Sequence, residues 1–131
     1  WIIRDASTGA ATGTTSYYGI SEFNETVAIG HTQVARDRWR TAVNTEAKLL
    51  LLTRAFETLG AGRVEWHTDD RNERSQAAIA RLGAQREGVL RRHKRRADGT
   101  WRDTVQYAMT IDDWPAAKKR LVERLAAGNT V

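Results

Sequence analysis

The chain has no cysteine among its 131 residues. That excludes a disulfide framework, a thiolate nucleophile and a thiolate metal site. Its three histidines, His31, His67 and His93, are scattered without metal-ligand spacing, so no metal is expected. The longest apolar run, Leu49 to Leu52, is flanked by Lys48 and Arg54 and falls far short of the roughly 20 residues that cross a bilayer. There is no signal-peptide pattern, and these absences leave the cytoplasm as the expected compartment. One proline and ten glycines make no linker, and there is no internal repeat or low-complexity tract. The chain also lacks a starting methionine. It opens at Trp1 inside an expected strand and so reads as a fragment or a processed product.

What is present describes one soluble globular domain. Hydrophobic residues make up 40% and charged residues 28%, enough for a core in a chain of this length. The net charge of +5 points to an anionic partner, either a nucleotide cofactor or a nucleic acid. The run Arg91-Arg92-His93-Lys94-Arg95-Arg96 looks like a nucleic-acid patch. On a strand, however, it would divide its charge between two faces, and a solvated hairpin is the reading preferred here. With no recognisable nucleic-acid motif, such a partner is not expected.

The central segment is Arg36 to Gly60. A basic loop, Arg36 to Val43, runs into an apolar helix, with Asn44 or Thr45 as N-cap and Glu46 in the first turn. Ala47, Leu50, Leu51 and Ala55 form one face, Leu49, Leu52, Phe56 and Leu59 widen it, and Gly60 ends it. Such a helix start offers amides and partial positive charge to a phosphate, with Arg36, Arg38 and Arg40 beside it. Before the loop, Thr26 to Val34 alternates as a strand. Val27, Ile29, His31 and Gln33 fall on one side, and Gly30 suggests a bulge or close approach. After the helix, Arg63 to Thr68 is a strand, which makes a parallel strand–helix–strand unit.

Other elements frame this unit. Trp1 to Arg4 and Thr14 to Ile20 read as a hairpin. Asp70 and Glu73 resemble a capping box for a helix carrying Ser75, Ala78, Ile79 and Leu82, closed by Gly83. Gln85 to Arg96 and Thr100 to Ile111 are strands joined at Asp98-Gly99. Asp112 to Pro115 starts a last helix, and Gly128 to Val131 is expected to fray. The fold class is α/β (α+β): a mixed, mostly antiparallel sheet with the parallel unit at its middle.

Four stretches together resemble the GCN5-related N-acetyltransferases (GNAT): Trp39 to Leu52, Arg63 to Ala84, Glu87 to His93 and Arg102 to Trp114. The similar branch is that of the ribosomal-protein N-terminal alanine and serine acetyltransferases. The resemblance implies a single acyl-CoA N-acyltransferase domain over residues 1–131, without the family's usual N-terminal strand and helices. It implies acetyl-CoA as co-substrate and a primary amine as acceptor, either a protein N-terminus or a small molecule. It further implies that Trp39, Arg40, Thr41, Ala42, Val43 and Asn44 seat the diphosphate. The strand Ile29 to Val34, with Thr32, Gln33 and Val34, would pair with the pantetheine arm. Asn72 would contact that arm, and Ser75 would lie near the sulfur.

The resemblance has departures. Arg40 and Ala42 stand where the family's loop usually has glycines. Ile79 stands where many relatives carry an acidic tyrosine, which leaves Ser75 as the candidate to stabilise the thiolate. Transfer to an amine also needs a base and a polarised carbonyl. Backbone amides near Thr32 to Val34 suit the carbonyl. His31 is a candidate base, with a structural role as its alternative. Asp103 either holds the acceptor ammonium and relays a proton or pairs with an arginine. Asn72 serves either the cofactor or its helix as a cap. Two other readings remain: a non-catalytic acyl-CoA-binding remnant and a basic nucleic-acid module. The resemblance implies that the N-terminal strand and helices form one wall of the acceptor site, and a neighbouring subunit could supply that wall, which leaves a homodimer open.

Overall fold

The computed structural model describes residues 1–128; the rest of the expected frayed end, 129–131, lies outside the described residues. Six strands form one sheet: β1 (Ile2–Arg4), β2 (Ala11–Ser21), β3 (Thr26–Val34), β4 (Arg63–Asp69), β5 (Gln85–Arg95) and β6 (Trp101–Thr110). Their order is β1-β2-β3-β4-β6-β5. Among neighbouring strands only β3 and β4 pair in parallel, joined by a crossover helix between Val34 and Arg63; the other neighbours are antiparallel. Among the described residues there are three α-helices, α1 (Val43–Thr53), α2 (Glu73–Arg81) and α3 (Trp114–Ala126). None is long and apolar enough to cross a membrane.

The core joins one sheet face to the helices. Ile29, Val64, Trp66, Val105, Tyr107 and Met109 meet Leu51, Leu52, Ile79 and Leu121. Period-two alternation in β4, with Val64, Trp66 and Thr68 buried, places Arg63, Glu65, His67 and Asp69 on the opposite face. The helical stripe differs from the expectation at several positions, and Leu59 at its end is 53% exposed. Leu50 is 66% exposed, and the buried line runs through Thr45, Ala47, Lys48, Leu51 and Leu52. Lys48, which precedes the apolar run in the sequence, is therefore inside the fold. Past Thr53 the helix widens into a π-helical turn, Arg54–Thr58. This turn carries Phe56 onto Trp114, with ring centroids 5.3 Å apart, and Glu57 within 3.0 Å of the Trp114 indole nitrogen. Gly60 takes φ +74° at its end, as the sequence led us to expect.

Candidate active site

The parallel ladder between β3 and β4 is short. It ends at the Ala28–Glu65 pair, while β3 continues to Val34 and β4 to Asp69. The two strands part where the sequence places the candidate residues, opening a notch at their C-terminal ends. Ligands of open α/β sheets bind at such edges.

A bulge shapes the β3 side of the notch. Thr14 pairs with Gln33 and Ser16 with Gly30, so His31 and Thr32 together oppose Thr15. His31 takes the extra position with φ +53°. Gly30 is the close approach: a Cβ there would lie 2.5 Å from Tyr18 Cε1. The bulge also corrects the expected facing. Inserting one residue reverses the alternation, so Thr32, not His31, lies on the α1 side with Ile29. The Gln33 carbonyl packs so closely on β2 that a Cβ on Gly13 would meet it at 2.3 Å. The Val34 carbonyl accepts from Trp39 Nε1 at 2.9 Å.

The loop after β3 is pinned from below. Arg36–Arg38 forms one 3-10 turn, and Arg38 Nη1 donates to Asp5 Oδ2 at 2.7 Å. Together with Ser7, that guanidinium holds the Asp5 carboxyl well below the usual range. Arg74 and Arg36 place guanidinium carbons 4.0 and 5.5 Å from the centroid of the Trp39 ring, so the loop leans on the first turn of α2. Arg40 takes φ +60°, the left-handed conformation that glycine adopts without strain. The side chain has therefore not forced the loop onto a right-handed path.

The N-cap of α1 is Ala42, earlier in the chain than the expected Asn44 or Thr45, and no side chain caps it. Thr41 Oγ1 bonds the Arg38 carbonyl and reaches the Val43 amide only at 3.4 Å. The amides of Thr41 and Ala42 find no acceptor among the described residues. Asn44 turns its side chain inward, with Oδ1 3.4 Å from Lys48 Nζ.

The start of α2 is closed. Its cap is Asn72, not Asp70, and Asn72 Oδ1 accepts from the Ser75 amide at 3.0 Å. Gln76 Nε2 bonds the carbonyls of Asp69 and Asp70. Arg96 grips Asp69 through Nε and Nη2 at 2.7 and 2.8 Å, which holds that carboxyl low. Asn72 and Ser75 thus share one turn facing the loop across the notch.

The sequence profile of the acetyltransferase (GNAT) domain matches residues 1–85. The chain belongs to the GNAT acetyltransferase family. Among its relatives, the uncharacterized N-acetyltransferase YoaA of Bacillus subtilis is 27% identical over 83% of this chain and 60% of its own length. A candidate acetyltransferase of T. thermophilus is 43% identical, covers 88% of this chain and 61% of its own, and has a TM-score of 0.83. RimJ of Mycobacterium smegmatis, solved in complex with CoA-disulfide, is 30% identical over 92% of this chain and 56% of its own, with a TM-score of 0.80. The chain thus spans about three-fifths of the length of the relatives it matches, 60% and 61% in the first two.

Within this GNAT domain, the helix-free sheet face gathers residues that sequence alone did not connect. Tyr18 lies 5.2 Å from the His31 ring and 6.3 Å from His67, and His67 lies 6.2 Å from His93. His93 Nδ1 is 2.9 Å from Thr104 Oγ1. Burial lowers the His67 pKa, although Glu65 Oε2 lies 3.7 Å from its Nε2 and opposes the shift. The alternation Arg63-Val-Glu-Trp-His67 is the sequence signal that puts Glu65 and His67 on one face.

Asp103 stands apart from that track. Its Oδ1 accepts the Arg92 amide at 2.7 Å, where three residues of β5 (91–93) oppose one of β6 and Arg92 takes φ +51°. Neither sequence alternative, an acceptor ammonium or an arginine side chain, describes this contact. The bond arises because a bulged amide would otherwise lose its ladder partner.

Proposed function

We propose that this chain seats acetyl-CoA in the notch between β3 and β4 and transfers its acetyl group to a primary amine by direct attack. The observation that carries the reading is the coincidence of two features. The β3–β4 ladder stops at Ala28–Glu65, and at the same edge α1 begins with no side-chain cap. A free strand edge suits the amides of a pantetheine arm, and an uncapped helix start suits a diphosphate. The residues fit the group on size as well, since Ala42 leaves the helix start unobstructed by its own side chain. CoA bound to the relative RimJ supports the same assignment.

The acetyl thioester supplies an activated acyl group, so no enzyme nucleophile is needed. The chain's own residues then have four roles. The amides from Thr41 to Asn44 hold the diphosphate, with Trp39 and Arg40 beside them. The amides of Thr32 to Val34 align the arm and polarise the thioester carbonyl. Ser75 donates to the departing sulfur while Asn72 holds the arm. His31, exposed at the bulge, takes the proton of the amine, and Tyr18 and His67 continue the route away from it. Asp103 Oδ2 is the remaining acceptor for an ammonium group at the rim. Alignment of the two substrates supplies a large part of the rate.

The acceptor is a primary amine, with a protein N-terminus favoured by the resemblance to the ribosomal-protein N-terminal acetyltransferases and a small amine as the other class. The basic run on β5 gives little support to nucleic acid. Arg96 is bound to Asp69, and Arg92 and Arg95 lie over Trp101. Thiol release from acetyl-CoA, measured with peptides bearing free N-termini and with polyamines, tests the transfer. The expected result is amine-dependent release that falls at least tenfold in Ser75→Ala. Binding of acetyl-CoA without release on any amine would leave a binding remnant, the reading favoured by the arginine in the place of glycine at position 40.

A further inference from the structure

Lys48 is only 5% exposed. Its ammonium donates to Thr32 Oγ1 at 2.9 Å and reaches Asn44 Oδ1 at 3.4 Å. Thr32 Oγ1 lies in turn 2.9 Å from Thr15 Oγ1. All these partners are neutral oxygens. No ion pair among the described residues includes Lys48.

The elements packed around Lys48 bring few other charges. Glu46 and Arg54 extend from the same helical segment and line the groove on its far flank, beside β1. Tyr17 on β2 gives its hydroxyl to the Leu51 carbonyl. Arg38 and Asp5 are paired with each other, and His31 lies against Tyr18. Burial alone pushes the Lys48 pKa down to about 8, with no neighbouring charge contributing. A desolvated cation without a counter-charge is costly, and a methionine would pack there without that cost. The partners it does have belong to β3 and to the first turn of α1, the two elements that frame the mouth.

We propose that Lys48 is the buried counter-charge for the diphosphate of bound acyl-CoA, holding Thr32 and Asn44 in place beneath the amides of the α1 mouth. This rests on the acyl-CoA reading above. Arg36 and Arg74 are surface cations, screened by salt and stacked on Trp39. Lys48 has already lost its water, so its field reaches an anion at the mouth through protein and not through solvent.

The test uses two probes: acetyl-CoA, and S-acetylpantetheine, which has the thioester arm but no diphosphate. Wild type and Lys48→Met are titrated calorimetrically at about pH 8.5 in buffers of different ionisation enthalpy. Because an anion raises the pKa of a nearby ammonium, wild type is expected to take up about half a proton per acetyl-CoA, and the variant none. Lys48→Met is expected to weaken acetyl-CoA about tenfold or more and S-acetylpantetheine less than about twofold. A wild-type profile needs no variant: acetyl-CoA affinity should fall as pH rises from about 8 toward 10, while that of S-acetylpantetheine stays flat. Acetyl-CoA binding with no proton uptake and a flat profile would overturn the role of Lys48 and leave the acyl-CoA reading standing. Equal losses for the two probes would also overturn it. If wild type bound no acetyl-CoA, both would fall.

Discussion

The starts of α1 and α2 sit at the same sheet edge and are built in opposite ways. At α2, Asn72 caps the helix, Gln76 ties down two carbonyls, and Arg96 clamps Asp69. At α1, no side chain caps the start, Arg40 holds a left-handed backbone, and a lysine is buried without a carboxylate. The first arrangement satisfies itself. The second carries two amides without an acceptor among the described residues and a buried charge without a counter-charge, which is what a ligand of opposite charge would repair. Local structure thus separates a helix start made for stability from one made for binding.

The largest expected effect is on Lys48. With the pKa near 8 against an ordinary 10.5, both the folded and unfolded chains are protonated at pH 7, and the folded one bears the burial cost. The folded pKa is depressed, so the contribution to stability is full above 10.5 and lost as pH falls through about 8. Lys48→Met should therefore stabilise the ligand-free protein at pH 7 by about 2 kcal/mol, less than the full shift because the bond to Thr32 is lost. Thermal melts should rise by about 6 °C, and the gain over wild type should shrink between about pH 8 and 10. A lower melting temperature at pH 7 would mean that the lysine stabilises the fold. Asn72→Ala tests the other mouth. It should cost about 1 kcal/mol by removing the cap and weaken acetyl-CoA about threefold. Lost stability with unchanged affinity would leave Asn72 a cap alone.

Much of this was legible in the chain because its signals were local. Asp98-Gly99 forms the β5–β6 turn, where Asp98 Oδ1 takes the Thr100 amide, and Gly60 and Gly83 both take positive φ after their helices. The parallel pair followed from one crossover helix between two apolar strands. What escaped depended on residues distant in sequence. The His31 bulge is set by the match of β2 to β3, yet it decides whether Thr32 or His31 faces the helix. Lys48 reads as a solvated flank until Thr32 and Thr15 close over it. The bond of Asp103 to the Arg92 amide could not be read, because the bulge it stabilises, opposite on β5, leaves no mark in its own strand. Alternation in β4 showed that Glu65 and His67 share a face but not that Tyr18 and His93 join them there.

Two smaller substitutions sharpen the contrast at α1. Arg40→Gly removes a side chain from a φ of +60° but adds freedom to the unfolded chain, so the net gain should be only about 0.5 kcal/mol. Chemical denaturation reads that gain. Affinity for acetyl-CoA should fall several-fold if the guanidinium meets phosphate, and tighter binding would mean that the arginine obstructs the seat.

The smallest stability change, and the sharpest test of the mouth, is Ala42→Asp. Ala42 is the N-cap position of α1, and it is itself right-handed at φ −69° and ψ −10°. A carboxylate there cannot close a full cap without moving the backbone, but it still lies in the positive field of the helix start, a gain of about 0.3 kcal/mol. The same charge stands where a diphosphate must rest, so acetyl-CoA affinity should fall at least about tenfold. Raised salt should recover part of that loss by screening the exposed carboxylate. An adjacent control, Glu73→Gln in the first turn of α2, removes a favourable charge from the mouth that is already satisfied and should leave affinity within about twofold. If both substitutions shift affinity equally, the ligand does not distinguish the two helix starts, and the division of labour between them is wrong. If only Ala42→Asp does, the diphosphate sits on α1.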